Sequence, residues 1–185
     1  MQRAGEKEMQ AEGSTAAKPH LDKAGTLALL DEAGIAYELC EHNAVRSVEE
    51  ADTVAIPFAA DMAKNLFLHD ATKNHARRRY FLVTVPDHKQ ISLAALADAL
   101  GSSRLSFASE ADLDAMLGVW PGAVTPFAAL NDVEGRVEVY LDADFALRGR
   151  IGCHPCDNTA SVHLRTDELA GLLATRGHEV TFLEL

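Results

Sequence analysis

Met62-Ala63-Lys64-Asn65-Leu66-Phe67-Leu68 and Tyr80-Phe81-Leu82-Val83-Thr84-Val85, joined by a polar stretch that turns at Thr72 to His75, decide the fold. Both runs have the length and apolar content of strands, and the short connection returns the second against the first as a hairpin. The second run is nearly all apolar and stops at Pro86, which predicts burial on both faces and a central place in a sheet. Working outward, a helical pattern runs from Asp22 through Leu27, Leu29 and Leu30 to Gly34, and Ile35 to Leu39 then alternates like a strand. Ser47-Val48-Glu49-Glu50 is a capping-box pattern opening a helix toward Ala55. Ser92 precedes Leu93, Leu96 and Leu100 at helical spacing before Gly101, and Ser109 with Asp112 opens another helix that Gly118 closes. Phe127 to Leu130 and Val137 to Leu141 flank the turn-rich Asn131 to Gly135 and predict a second hairpin. Strands at Ile151 to Cys156 and Ser161 to Leu164, a helix from Thr166 to Gly177 and a strand at Val180 to Leu183 complete the order. Hairpins mixed with flanking helices give an α/β (α+β) class with a mixed, largely antiparallel sheet.

At 185 residues and 48% hydrophobic content, the chain suits one domain with a proper core. Residues 1–20 are polar and aperiodic, the composition of a disordered lead-in or cloning remnant, which leaves 21–185 as the expected domain. No apolar run approaches a bilayer span, and the acidic N-terminus fits neither a secretory signal nor a transit peptide. Three cysteines are an odd number in such a chain, so a reducing cytoplasm is the expected setting. A net charge of −11 disfavours broad binding to nucleic-acid phosphates. Lys73, His75, Arg77, Arg78 and Arg79 form the one basic exception, read either as a solvated turn or as a local phosphate contact.

Three segments could carry chemistry. Gly118-Val119-Trp120-Pro121-Gly122-Ala123-Val124-Thr125-Pro126-Phe127 is an irregular run in which Pro121-Gly122 signals a turn. Such a loop can aim backbone N–H groups at a developing oxyanion, or it can be a structural turn with Trp120 as its packing anchor. Cys153-His154-Pro155-Cys156 has the spacing of a redox pair or half a zinc site, but no second ligand pair is present and no helix pattern follows it. His154 stands in an irregular polar segment with Asn158 and Thr159, as a structural histidine or one that orients water. Lys64 begins an apolar strand, where it either guards an edge or serves a site. Strand alternation sends the neighbouring Asn65 to the opposite face.

Taken together, the blocks Lys64-Asn65-Leu66-Phe67-Leu68, Leu105-Ser106-Phe107-Ala108-Ser109, Leu117-Gly118-Val119 with Pro121 to Phe127, and Gly152-x-His154-Pro155 with Asn158-Thr159-Ala160 resemble a known family. They are similar to the bacterial YbaK-like, prolyl-tRNA-synthetase-associated trans-editing domains. The best match within that family is the free-standing alanyl-tRNA(Pro) deacylase branch (PrdX, ProXp-ala). The resemblance runs from Leu21 to Leu185 in order, and the Cys-x-x-Cys pair departs from it. It implies a YbaK-like fold and hydrolysis of the ester that joins alanine to the 3′ end of tRNA(Pro), without metal or other cofactor. Cysteinyl-tRNA(Pro), or a non-catalytic tRNA-binding or thiol-redox role, are the alternatives.

The implied catalytic residues are Lys64, Gly122 and His154, and the implied substrate-binding residues are Asn65, Thr125, Pro126 and Asn158. In this scheme N–H groups near Gly122 hold the ester oxygen, and Lys64 anchors the acyl group or terminal phosphate as a cation. His154 positions the water or the substrate amine. A lysine with the ordinary pKa of ~10.4 is protonated at neutral pH and therefore acts electrostatically, not as a base. The implied partners are the acceptor end of mischarged tRNA(Pro) and prolyl-tRNA synthetase or an elongation factor, met by a monomer.

Overall fold

The computed structural model describes residues 20–44 and 55–185. The helix expected from Ser47 and the lead-in through residue 19 lie outside these. In chain order the elements are α1 (Lys23–Glu32), β1 (Tyr37–Glu41), β2 (Ala63–Asp70), β3 (Tyr80–Pro86), α2 (Leu93–Ala99) and β4 (Leu105–Phe107). Then come α3 (Glu110–Asp112, widening into a π turn over Leu113–Leu117), β5 (Val137–Asp142), α4 (Ala143–Arg148), β6 (Arg150–Cys153), β7 (Ala160–Arg165), α5 (Thr166–Thr175) and β8 (Val180–Leu183). A five-stranded sheet has the order β4-β2-β3-β5-β8, and a three-stranded sheet the order β1-β7-β6. The smaller sheet is antiparallel throughout. The larger is mixed, with β2 antiparallel to β3 and β4, and β5 parallel to β3 and β8.

Strand β3 is buried along its whole length, and its alternation explains how. Tyr80 and Leu82 enter one apolar cluster with Leu30, Leu117, Phe127 and Leu173. Phe81, Val83 and Val85 enter a second with Leu68, Leu96 and Leu105. A layer of helix and loop thus lies on each side of the larger sheet. The helices start where their caps say they should: Asp22, Ser92 and Ser109 each accept a backbone N–H of the first turn, and Ser109 with Asp112 completes a capping box. Thr166 is an exception, since its hydroxyl donates to Phe145 O at 2.9 Å and Arg165 takes the cap position.

The two sheets meet at a parallel bridge between Met62 and Gly152. The approach is close, because a Cβ at residue 152 would lie 2.7 Å from Met62 Sδ and 3.1 Å from Phe58 Cδ2, and the Met62 side chain would have to move to admit one. The second hairpin expected around Asn131 does not form. Pro126–Asn131 is a 3₁₀ helix in which Phe127, Ala128 and Ala129 are all buried, a consecutive pattern that a half-buried strand cannot produce. Pro126 opens it, where a missing N–H costs nothing. The strand expected to reach Cys156 ends at Cys153, since Cys156 turns into the left-handed region at φ 56°. Among the described residues no helix is long and apolar enough to cross a membrane.

Truncating Phe81, which is fully buried, to alanine is expected to cost about 3–5 kcal/mol. Urea denaturation checks this, with the midpoint falling while the slope stays unchanged.

Candidate active site

Polar side chains from three segments converge where β2 begins and β3 ends. Lys64 Nζ donates to Asp87 O at 2.7 Å. That carbonyl is fixed, because Asp87 N–H donates to Met62 O at 2.9 Å and Lys89 pairs with Asp142 at 2.8 Å and Asp144 at 3.2 Å. An ammonium has three donors, so Lys64 keeps capacity for a ligand. It lies on the part of β2 that β4 leaves uncovered, since β4 pairs only with Leu68 to Asp70 and β3 pairs with Lys64 through Val85.

On the other face of β2, Asn65 Nδ2 donates to Val124 O at 2.8 Å, while its Oδ1 accepts the Thr84 hydroxyl at 2.7 Å. Thr84 is its cross-strand partner, so one carboxamide ties the 118–127 loop to the hairpin. Within that loop Trp120-Pro121-Gly122-Ala123 forms a β-turn closed by Ala123 N–H on Trp120 O at 3.0 Å. Proline in the second place and Gly122 at φ 92° in the third make it type II, which needs glycine. Gly122 is exposed, and among the described residues its N–H makes no hydrogen bond. Asn158 stands beside it, with Nδ2 3.7 Å from where a Cβ would be.

His154 follows β6. Its Nδ1 is 2.9 Å from Ala160 O, and a carbonyl only accepts. Nδ1 therefore carries the hydrogen, and Nε2 of the neutral ring remains an acceptor. Burial lowers the His154 pKa from the ordinary histidine value, outweighing the Ala160 contact, and His42 adds to the lowering. The two rings lie 5.9 Å apart between centres, and His42 Nε2 is 3.0 Å from Ser161 Oγ. Asp157 and Asp87 act in the opposite sense on His154. Burial pushes the Asp157 carboxyl up, but the hydroxyl and N–H of Thr159 overcome this and hold it below the usual range.

The structure thus gathers Asn65, Val124, Gly122 and Asn158 on one face of β2, while Lys64, on the other face, is held at the Asp87 carbonyl and His154 feels the Asp87 charge. Thr125 and Pro126 lie beneath the surface. Both are buried, and the Thr125 hydroxyl has no hydrogen-bond partner among the described residues. Trp120, expected to pack, is instead half exposed. The redox reading of Cys153 and Cys156 is also corrected. Both thiols are free and buried, and burial pushes each up to about 12, so neither offers the thiolate that exchange requires.

The basic turn divides. Arg79 makes a two-bond pair with Glu138, both bonds 2.8 Å, and lies over the Phe81 ring, while Arg78 Nε donates to Thr72 O. Lys73 and Arg77 stay exposed, at the opposite end of the hairpin from Lys64. His42 and Asp87 were missed in the sequence because neither belongs to a motif. The β1–β7 ladder delivers His42, and the end of β3 delivers Asp87. A cleft of about 710 Å³ lined by Leu29, Asn131, Arg176 and His178 contains none of these residues.

The fold is that of a trans-editing domain. A solved structure described as a candidate trans-editing enzyme for prolyl-tRNA synthetase superposes with a TM-score of 0.61 at 20% identity, covering 88% of this chain and 97% of the other. The family model for the aminoacyl-tRNA editing domain matches residues 42–172, and the chain belongs to that family. It is 38% identical over 163 residues to the prolyl-tRNA editing protein ProX of Acetoanaerobium sticklandii, spanning 88% of this chain and 97% of the relative. It is 36% identical over 157 residues to the prolyl-tRNA synthetase associated domain-containing protein 1 of Xenopus laevis, spanning 83% and 90%.

Two measurements follow from the site's electrostatics. The His154 ring, followed by NMR, is expected to titrate with a midpoint below ~6.5, and a midpoint at or above it contradicts the burial effect. In the native protein at pH 8, a thiol reagent is expected to label Cys40 and spare Cys153 and Cys156, whose thiols stay protonated at that pH.

Proposed function

We propose that the protein is a trans-editing aminoacyl-tRNA deacylase that removes alanine from mischarged tRNA(Pro), with residues 21–185 acting as one editing unit in the cytoplasm. The observation that carries this reading is the N–H of the exposed residue Gly122, unbonded among the described residues. It is held on a rigid turn tied by Asn65 to the strand that bears Lys64. A fixed N–H of this kind stabilises charge on an ester oxygen without reorganising during the reaction.

In the proposed mechanism the ester carbonyl oxygen of the aminoacyl group lies on the Gly122 N–H. The Lys64 ammonium supplies positive charge to the acyl group or the adjacent phosphate. His154 Nε2 accepts a hydrogen bond from a water molecule and orients it toward the carbonyl carbon. Water adds to that carbon, and the tetrahedral intermediate collapses with cleavage of the bond to the ribose oxygen. The proton given up by water ends on that oxygen, leaving free amino acid and a 3′-hydroxyl. Neutral His154 suits this role, because a protonated ring has no acceptor to offer. Asn158, beside Gly122, lines the same wall.

The biological logic is a second sieve. A pocket shaped for proline gains only ~1–3 kcal/mol per methylene over a smaller side chain, so alanine escapes rejection and must be removed later. Support for alanine is the set of blocks shared with the alanyl-tRNA(Pro) deacylase branch. A relative named as a prolyl-tRNA editing protein agrees with editing on tRNA(Pro).

Hydrolysis of alanyl-, cysteinyl- and prolyl-tRNA(Pro) by the purified chain is the direct test. Alanyl-tRNA(Pro) is expected to turn over fastest; a preference for cysteinyl-tRNA(Pro) moves the assignment to that substrate. Lys64→Ala is expected to lower kcat/KM for the preferred substrate by about 10²-fold or more, and wild-type turnover in that variant overturns the role of Lys64.

A further inference from the structure

We propose that Trp120 is the stacking platform for the terminal adenine of the tRNA 3′ end, an assignment that rests on the deacylase reading above. Trp120 is the chain's single tryptophan and is 49% exposed. Large exposed apolar side chains elsewhere, such as Val133 on a loop and Leu147 on α4, do not belong to the 118–127 loop. Trp120 does, and the loop holds it rigidly. Val119 and Ala123 are buried on either side, Gly118 closes the preceding helix in the left-handed conformation, and the Asn65 carboxamide clamps Val124. The indole thus stays half in water on a turn whose neighbours are packed into the core.

Position supplies the occupant. Trp120 and Gly122 are the first and third residues of one type II turn, whose ends lie within about 7 Å of each other. In the substrate, one ribose separates the ester carbonyl from the adenine. With the carbonyl on the Gly122 N–H, the base therefore falls at the distance of Trp120. Phe58, another ring in this part of the chain, is unavailable, because it is buried and stacks on His163 with 4.7 Å between centres and an interplanar angle of 6°.

Charge explains why such a platform is useful. A protein of net charge −11 whose Arg79 is bound to Glu138 has few cations to offer phosphates. Base stacking on an aromatic ring holds an unpaired 3′ end with fewer of them.

Because Trp120 is the single tryptophan, its fluorescence reports contact directly. Titrating the wild-type protein with the trinucleotide CCA, free of amino acid, is expected to quench the emission in a saturable way. The dinucleotide CC is expected to quench far less. In deacylation assays, Trp120→Ala is expected to raise KM about tenfold or more, with a smaller effect on kcat. Trp120→Phe is expected to recover most of the loss and Trp120→Leu little of it, which separates stacking from apolar contact. Unchanged emission with CCA, or a Leu variant as good as Phe, overturns the platform. If wild-type protein hydrolyses aminoacyl-tRNA while CCA leaves the fluorescence and the Trp120→Ala KM unchanged, the platform fails and the deacylase reading stands. If CCA quenches but no aminoacyl-tRNA is hydrolysed, the deacylase reading fails and the indole remains a nucleotide contact.

Discussion

Burial of β3 on both faces is the constraint on which the arrangement of the site depends. A slip of one residue in its pairing with β2 exchanges Phe81, Val83 and Val85 with Tyr80 and Leu82 between the two apolar clusters, and both would lose their fit. The pairing is therefore held in one register, with Lys64 opposite Val85 and Asn65 opposite Thr84. From that register the rest follows. Lys64 reaches the carbonyl just past the end of β3, and the Asn65–Thr84 pair needs an additional acceptor that the loop supplies through Val124. The loop is thus secured to the part of the sheet least able to move.

In the proposed mechanism the site works with little charge. Its lysine is the cation, its histidine is held neutral by burial, and the thiols beside it are protonated and packed away. Fixed dipoles replace mobile charge: a glycine N–H on a type II turn and an imidazole whose tautomer is set by the Ala160 carbonyl. Groups arranged in advance in this way act on a developing oxyanion more strongly than the same groups in water. The distribution of arginine fits this economy. Arg79 is part of the fold, tied to Glu138 and laid over Phe81, and the remaining exposed basic residues of the turn stand at the far end of the hairpin.

A trans-editing domain must recognise a short chemical feature, the aminoacylated end of a single strand, and leave the bulk of a polyanion alone. The acidic surface and the rigid, half-exposed tryptophan beside the glycine turn are both suited to that task. Family membership and the physical layout agree on the type of reaction, while the choice of amino acid depends on pocket contacts made only with substrate in place.

Much of the fold was legible because it is encoded locally. The apolar run Tyr80 to Val85 announces a doubly buried strand, and Asp22, Ser92 and Ser109 announce helix starts through side chains that satisfy the nearest backbone N–H groups. The turn at Pro121-Gly122 was equally readable, since proline and glycine restrict or free their own φ. Other features depended on distant partners. Phe127 to Leu130 has strand-like content, but Phe127, Ala128 and Ala129 are buried in succession and the segment becomes a 3₁₀ helix. Trp120 is large and apolar, yet the packing of Val119 and Ala123 leaves it half in water. Cys153 and Cys156 have the spacing of a redox pair and the burial of core residues. His42 and Asp87 reach His154 and Lys64 only through strand pairing across long stretches of chain. By itself the sequence determined the strands, caps and turns, whose causes lie within a few residues, and the blocks that mark the family. Only the tertiary structure decided which side chains share the site and which titrate abnormally, because burial and long-range contact are properties of the packed chain and of no segment alone.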